Sequence, residues 1–204
     1  VKNANLCQQI KKTIVSKYYI PHTGRFDNAT QSAQILALWY GVSPDKDSSF
    51  QILMNEFERH NMHVSTGIFS TKMMFDILRE QNKNELAYTI ANKKDFPGWG
   101  YMLSKGATTL WETWKYPDNA PSQNHPMFGS IDEWFYRSLL GINAAAPGFK
   151  KIIIKPQPVT ELTGAKGHYP SVHGIMIHNW NVCDNQDNSK LTIPPETPPE
   201  IWLS

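Results

Sequence analysis

A glutamate flanked by two tryptophans is the clearest chemical feature of this 204-residue sequence. Glu112 directly follows Trp111 and stands two positions before Trp114, and Thr108 and Thr109 place hydroxyl groups just ahead of it. The flat face of a tryptophan suits the C–H face of a sugar ring, and a positioned carboxylate can activate water as a general base. The pattern therefore favours carbohydrate chemistry, although hydrolysis of a glycosidic bond normally needs two carboxyl groups.

An Asn124-His125 pair follows the glutamate and belongs to the same pattern. By itself, a histidine more often makes a structural hydrogen bond than contacts a ligand, and a lone glutamate is more often solvated than catalytic. Trp99 follows Pro97-Gly98 on a predicted loop. Two roles fit its side chain equally well at this point, a wall of the sugar pocket and a packed position in the core. Trp134 lies on an apolar helical stripe, which predicts a core position.

Composition and charge argue against several other classes of function. The net charge is +2 and no basic run exceeds two residues, so nucleic-acid binding has little support. The seven histidines and two cysteines lack the spacing of metal ligands, and among the histidines His60 and His63 are the pair to check. No apolar segment approaches membrane-spanning length. We therefore expect no cofactor, no metal, no nucleic-acid partner and no membrane partner, and whether Cys7 and Cys183 pair stays open.

The segments that must position the candidate residues are predicted to be helical. Apolar residues recur at helical spacing from Leu6 to Tyr19 and from Thr30 to Tyr40. Ser43 and Ser70 are expected to cap the two helices that follow. The short connection Gln81-Asn82-Lys83 predicts an antiparallel helical hairpin around it. Successive helical hairpins joined by functional loops are typical of one half of an α/α toroid.

After Pro147-Gly148 the pattern changes to short strands. Strands are predicted at 151–155, 172–180 and 190–193, and the proline-dense segment 194–199 is expected to be an extended edge or tail. The fold class that follows is mainly α, with about six helices, and with a C-terminal β segment that starts near residue 150.

Five motifs, taken in order, resemble glycoside hydrolase family 78, the inverting α-L-rhamnosidases. They are Trp99-Gly100-Tyr101-Met102, Gly106 to Trp114, Asn124-His125, Phe128-Gly129-Ser130 and Glu133-Trp134-Phe135-Tyr136. Gly141-Ile142 and Lys155-Pro156 resemble the passage from that family's barrel into its C-terminal β-domain. The resemblance covers Thr30 to Trp180. It implies part of a six-hairpin (α/α)₆ barrel over residues 1–148, followed by the start of a β-sandwich over residues 149–204.

The resemblance also implies roles for individual residues. Glu112 stands at the position of the family's general base, which deprotonates the attacking water. His125 corresponds to the histidine that bonds to rhamnose hydroxyls in the sugar pocket. Trp99 and Trp111 correspond to pocket walls, and Trp114 is a third candidate substrate-binding residue. The implied function is the removal of terminal α-L-rhamnose from plant glycans by an inverting mechanism.

The family's general acid has no counterpart in this sequence. It belongs to an Asp-rich stretch with a Cys-Pro-x-Arg-Glu pattern, and residues 1–100 contain no such segment. An inverting hydrolase holds its acid and base roughly 6.5–9.5 Å apart, and loss of general acid catalysis removes roughly 10²–10⁴-fold in rate. We therefore expect a fragment whose general acid lies outside this chain. We expect it to be inactive alone and to self-associate through exposed barrel surface.

Two other functions stay open at this point. One is an (α/α)₆ glycosidase that acts on another sugar, such as fucose or glucose. The other is a non-catalytic carbohydrate-binding or interaction module in which the barrel half is a scaffold. The substrate class leads us to expect a secreted or periplasmic parent protein.

Overall fold

The computed structural model describes residues 2–115, 122–183, 186–195 and 197–201. The chain divides into two compact units. The first comprises Val1–Glu80 and Thr89–Phe128, and the second comprises Gln81–Tyr88 and Gly129–Ser204. Helices dominate the first unit and strands dominate the second, which confirms a mainly helical chain with a C-terminal β part.

Seven α-helices are present within the described residues. They are α1 (Lys2–Tyr18), α2 (Gln31–Trp39), α3 (Lys46–Arg59), α4 (Ile68–Glu80), α5 (Asn84–Ala91), α6 (Trp99–Ser104) and α7 (Ile131–Trp134). The last one continues as a π-helical turn over Phe135–Leu139, and 3₁₀ turns occupy Pro126–Ser130 and Pro147–Phe149. In this described part, no helix has both the length and the apolar character that crossing a membrane requires.

The core of the first unit is built on the apolar stripes of α3 and α4. Leu53 and Phe57 on α3, and Met74 and Leu78 on α4, are fully buried. Each pair is spaced at i, i+4, so both side chains project from one face of the helix. Burial of each such side chain contributes about 1.5–3 kcal/mol. Helix α2 packs against both α3 and α4 and closes this core.

Two predicted helix starts differ from the structure. Asp45, rather than Ser43, caps α3, because its carboxylate accepts the backbone N–H of Ser48 at 3.0 Å. Hydrogen bonds from the Ser48 hydroxyl and backbone hold the pKa of Asp45 below its usual range. Helix α4 begins at Ile68, so Ser70 lies inside the helix and is buried. Several residues near each start can cap, and tertiary packing selects among them.

Eight strands are found within the described residues. They are β1 (Tyr19–Ile20), β2 (Arg25–Phe26), β3 (Ile142–Ala144), β4 (Ile152–Ile154), β5 (Gly164–Ser171), β6 (Gly174–Cys183), β7 (Gln186–Thr192) and β8 (Pro199–Ile201). The first two form a small hairpin in the first unit. The others form two three-stranded sheets in the second unit, ordered β3-β4-β8 and β5-β6-β7.

The two sheets of the second unit share a hydrophobic core. Ile152 and Ile154 on β4, together with Met176 on β6, are fully buried in it. The proline-dense C-terminal segment contributes β8, which pairs in parallel with β4 at the edge of its sheet. Strand β3 begins at Ile142, earlier than the sequence pattern indicated, and pairs antiparallel with β4, with Ile142 opposite Ile154.

Candidate active site

Backbone hydrogen bonds pair the segment that carries Glu112 with the segment that carries His125. The N–H of His125 donates to the carbonyl oxygen of Leu110 at 2.8 Å, and the N–H of Glu112 donates to that of Ser122 at 3.0 Å. The intervening residues 116–121 lie outside the described part of the chain. The two polar residues predicted for the site therefore lie on adjacent, hydrogen-bonded segments of the first unit.

The Glu112 side chain is half-buried. Among the described residues, we find no hydrogen-bond donor or cation that pairs with this carboxylate. The neighbouring Thr109 hydroxyl donates to the backbone carbonyl of Gln123 instead, which closes the loop between the two segments. A carboxylate whose lone pairs are free can accept a proton from water, which is what a general base requires.

His125 presents one ring nitrogen for a further contact. The backbone N–H of Met127 donates to His125 Nδ1 at 3.4 Å, so Nδ1 acts as an acceptor in the neutral ring. The proton of the neutral ring then lies on Nε2, which makes no hydrogen bond to any described residue. The half-buried side chain can therefore donate from Nε2 to a hydroxyl oxygen of a bound sugar.

Trp99 and Trp114 pack with Phe128 in an aromatic cluster. The ring centroids of Trp114 and Phe128 are 3.8 Å apart in a stacked arrangement, and Trp99 meets Trp114 edge-on at 4.9 Å. The indole N–H of Trp99 donates to the carbonyl of Phe128 at 3.1 Å, and that of Trp114 donates to Thr66 at 2.7 Å. Internal packing therefore accounts for most of the surface of these two rings.

All three tryptophans of the predicted site are buried. Trp99 and Trp114 are each 9% exposed, and Trp111 is 3% exposed. A ligand can reach only the small exposed part of each ring, so any sugar contact would be made at the surface of a packed aromatic cluster. The substrate-binding role of these residues stays a prediction.

Trp99 is the first residue of α6, whereas the sequence placed it on a loop. Gly98 precedes it with extended backbone, and Gly100 follows it. A Cβ atom at Gly100 would lie 2.5 Å from the carbonyl oxygen of Lys93, so only glycine permits this close approach. The glycine therefore allows the start of α6, and Trp99 with it, to lie against the Lys93 backbone.

Two residues that support the cluster were not singled out from the sequence. Thr66 accepts the Trp114 indole hydrogen bond through its backbone carbonyl, and Phe75 on α4 contacts Trp99 with ring centroids 5.8 Å apart. A backbone carbonyl has no signature in the sequence, and Phe75 belongs to an ordinary apolar helix face. Neither contact was predictable from residue type.

The histidine pair considered for metal binding is engaged in protein contacts. His60 Nδ1 lies 2.8 Å from the carbonyl oxygen of Glu56, and His63 Nε2 lies 2.8 Å from the Asp95 carboxylate. The hydrogen bond from His63 holds the pKa of Asp95 below its usual range. Within the part of the chain that the structure describes, no group of three or more His, Cys, Asp or Glu side chains is arranged to hold a metal ion.

Two protein families have sequence profiles that match this chain. The profile of the bacterial alpha-L-rhamnosidase 6 hairpin glycosidase domain matches residues 2–139. The profile of the bacterial alpha-L-rhamnosidase C-terminal domain matches residues 141–204. Together they cover the helical part and the β part of the chain in that order.

Curated relatives are similar along most of the chain. An alpha-L-rhamnosidase of Streptomyces avermitilis is 30% identical over 209 residues, which is 98% of this chain and 20% of that protein. An alpha-L-rhamnosidase of Alteromonas sp. (strain LOR) is 32% identical over 175 residues, which is 81% of this chain and 19% of that protein. The chain thus spans about a fifth of the length of these relatives.

Solved structures show the same relationship in three dimensions. The alpha-L-rhamnosidase of Streptomyces avermitilis, complexed with L-rhamnose, superposes with a TM-score of 0.90 at 29% identity, over 98% of this chain and 20% of that one. The alpha-L-rhamnosidase of Dictyoglumus thermophilum gives a TM-score of 0.89 at 33% identity, over 97% of this chain and 23% of that one.

Proposed function

Because this chain belongs to the family of bacterial alpha-L-rhamnosidase six-hairpin glycosidase domains, we propose that it forms the general-base side of an inverting α-L-rhamnosidase site. The substrate would be terminal α-L-rhamnose on a plant glycan, and the general acid would come from residues outside this chain. The hydrogen-bonded pairing of the Glu112 and His125 segments is the observation that carries the proposal.

In this mechanism Glu112 takes a proton from a water molecule on the face of the sugar opposite the leaving group. The water oxygen bonds to the anomeric carbon while the glycosidic C–O bond breaks. The general acid protonates the departing oxygen, and the product is β-configured rhamnose. His125 donates from Nε2 to a rhamnose hydroxyl, and Trp99, Trp111 and Trp114 form the apolar side of the pocket.

We also propose domain boundaries for this chain and a sugar as its binding partner. Residues 1–148 would form part of the (α/α)₆ catalytic barrel, and residues 149–204 would begin the C-terminal β-sandwich. The L-rhamnose bound to the Streptomyces avermitilis relative supports rhamnose as the sugar in the pocket. Self-association of the chain through exposed barrel surface stays a prediction, to be checked by sedimentation.

Replacing the carboxylate tests the base directly. In a protein that carries this sequence within a complete barrel, Glu112→Gln should lower kcat by roughly 10²–10⁴-fold, because the amide cannot accept the proton of water. The KM for a nitrophenyl rhamnoside should change little, since the amide keeps the shape of the side chain. Glu161→Gln, an exposed glutamate of the second unit, is the matched control. Near-normal turnover of Glu112→Gln would overturn the assignment.

A small anionic nucleophile separates loss of the base from loss of the pocket. Azide needs no deprotonation, so it should restore turnover in Glu112→Ala, where the side chain also leaves room for it. The expected product is β-rhamnosyl azide, with configuration inverted relative to the substrate. An α-configured product would contradict an inverting mechanism.

Two further measurements address the other functions. Comparable or faster hydrolysis of fucoside or glucoside substrates by the complete protein would indicate another (α/α)₆ glycosidase. Calorimetry of this chain alone with L-rhamnose addresses the non-catalytic binding module. Binding with a Kd of about 1 mM or tighter, combined with no turnover in the complete protein, would favour such a module.

A further inference from the structure

A cleft of about 560 Å³ opens on the second unit. It is lined by residues 144–149, which run from the end of β3 through a 3₁₀ turn, and by residues 169–172, at the end of β5. The volume lies within the range of small-molecule sites, which is roughly 300–1,000 Å³. None of the residues assigned to rhamnose hydrolysis lines the cleft. A function of the cleft must therefore be argued from its own residues.

Tyr169 supplies an aromatic surface whose position is held by its neighbours. Its ring centroid lies 4.7 Å from that of Phe149, and Tyr136 meets it edge-on at 6.2 Å. The Tyr169 side chain is nevertheless 36% exposed. A ring that is already held in place loses little conformational entropy when a ligand packs on it.

Small residues make up much of the remaining lining. Ala144, Ala145 and Ala146 precede Pro147-Gly148, and their short side chains fill little space. Ser171 adds a hydroxyl group, which donates to the carbonyl oxygen of Gly174 at 2.8 Å and accepts the backbone N–H of His173 at 3.1 Å.

The residues that line the cleft carry no charged side chain. They are alanine, proline, glycine, phenylalanine, tyrosine, serine and valine. An anionic ligand or a metal ion would require charged partners or a set of ligating side chains, which this lining does not offer. A neutral pyranose fits its chemistry, because one face of the sugar is apolar and its hydroxyl groups lie around the edge.

The backbone beside the aromatic wall adopts an uncommon conformation. Gly148 has a φ of 66° and Phe149 a φ of 59°, so two consecutive residues lie in the left-handed region. This region is rare for a bulky residue such as phenylalanine. Backbone strain of this kind persists where neighbouring contacts hold it, and it is concentrated at binding sites. Here it accompanies the packing of the Phe149 ring against Tyr169.

We infer that this cleft binds a neutral sugar residue of a glycan, with the pyranose packed on Tyr169. Such a site would hold the glycan without cleaving it, because no carboxylate lines the cleft. The inference is independent of the role proposed for Glu112.

Titration of the whole chain by NMR tests the inference. The ¹⁵N-labelled protein is titrated with L-rhamnose and D-glucose as neutral sugars, and with D-glucuronate as a charged sugar of similar size. We expect saturable shifts of the amides of Ala145, Gly148 and Tyr169, with a Kd on the order of 1 mM for at least one neutral sugar. Glucuronate should bind at least about tenfold more weakly than glucose, because its carboxylate loses water without gaining a partner.

Substitutions locate the binding. Tyr169→Ala should weaken the Kd by about tenfold, since the packing surface is lost. Tyr169→Phe should keep most of the affinity. Ala145→Leu places a larger side chain in the cleft while leaving the aromatic packing intact, so it should also weaken binding in a folded protein. Tyr40→Ala, at an exposed tyrosine of the first unit, is the matched control and should leave the Kd unchanged.

Variants of the proposed active site distinguish sugar binding at the cleft from sugar binding by the first unit. Glu112→Gln and His125→Ala should leave the amide shifts at the cleft and their Kd unchanged. Unchanged amides at the cleft with every sugar would overturn the inference, and so would equal or tighter binding of glucuronate than of glucose. Loss of cleft binding in Glu112→Gln would assign the sugar to the first unit instead.

Discussion

The indole N–H of Trp114 donates a hydrogen bond to the backbone carbonyl of Thr66 at 2.7 Å. This bond connects the segment that follows Glu112 to the turn that leads into α4. Both groups are buried, so neither can replace its partner with bulk water. Trp114 therefore has a structural role, and any contact with a sugar would be additional to it.

Trp114→Phe should lower the free energy of unfolding by about 1–3 kcal/mol, because it leaves the Thr66 carbonyl without its donor. Urea denaturation of the chain measures the change. Trp39→Phe is the control, since Trp39 is 38% exposed and its substitution should cost less. Equal losses in the two variants would show that the hydrogen bond to Thr66 contributes nothing specific.

Two glycines with nearly the same φ should respond very differently to alanine. Gly141 has a φ of 79° and Gly106 a φ of 80°. A Cβ atom at Gly141 would lie 2.2 Å from the backbone nitrogen of Pro156, whereas the space around Gly106 is open.

Gly106→Ala should therefore cost only the conformational term of about 1–2 kcal/mol. Gly141→Ala should cost more than about 3 kcal/mol, because the backbone of the second unit must move. Thermal unfolding followed by circular dichroism compares the two variants. Similar midpoints would contradict the predicted clash at Pro156.

His178 makes stability depend on pH. The ring is fully buried, and it contacts the Leu140 carbonyl through Nδ1 and the Ser189 hydroxyl through Nε2 at 2.9 Å. Burial lowers the pKa of His178 below its ordinary value, while the hydrogen bond to Leu140 opposes the shift. The folded protein therefore holds the ring neutral down to a lower pH than the unfolded chain does.

The direction of this pH dependence follows from which state, folded or unfolded, binds the proton more readily. As the pH falls below about 6.5, the unfolded chain takes up the proton first, so the free energy of unfolding decreases. The stabilisation is fully present above that pH and is lost as the pH falls toward the folded-state pKa. Urea denaturation at pH 7.5 and pH 5 should show a smaller pH dependence in His178→Gln than in the original protein. His168→Gln, at an exposed position, should retain the original pH dependence.

His125→Ala tests the proposed sugar contact in a complete protein that carries this sequence. Loss of the Nε2 donor should raise the KM for a rhamnoside up to about tenfold, which corresponds to one neutral hydrogen bond. The kcat should change less, because in the proposed role the group binds the sugar rather than moving a proton. Steady-state kinetics measure both parameters, and His22→Ala on the exposed surface is the control. A kcat that falls while KM stays constant would place His125 in the chemical step.

Local patterns in the sequence predicted several of the regular elements, although β5 (Gly164–Ser171) was missed and β7 begins earlier than expected. The helical spacing from Leu6 and from Thr30 corresponds to α1 and α2, and the β-branched run at 151–155 contains β4. The core position of Trp134, which is 3% exposed, is also confirmed. Such predictions succeed because the period of apolar residues depends only on the geometry of the element itself.

Features that the pattern of apolar residues does not encode were missed or misplaced. Asp45 and Ser43 are both capable of capping α3, and Asp45 caps it while the Ser43 hydroxyl is hydrogen-bonded to that of Ser49. Trp99 lies at the start of α6, where Gly100 approaches the backbone of Lys93, a contact that residue type does not predict. The parallel pairing of β8 with β4 joins segments far apart in the chain, so it also lay beyond local reasoning.

The sequence by itself determined which residue types are present for the proposed chemistry: the carboxylate of Glu112, the imidazole of His125 and the tryptophans beside them. It also determined the family, through the order of its motifs. The tertiary structure decided that the segments of Glu112 and His125 pair, and that the indoles of Trp99 and Trp114 are buried with their N–H groups bonded inside. Residue type depends on the chain alone, whereas pairing and burial depend on hydrogen bonds and packing between distant segments, which only folding brings together.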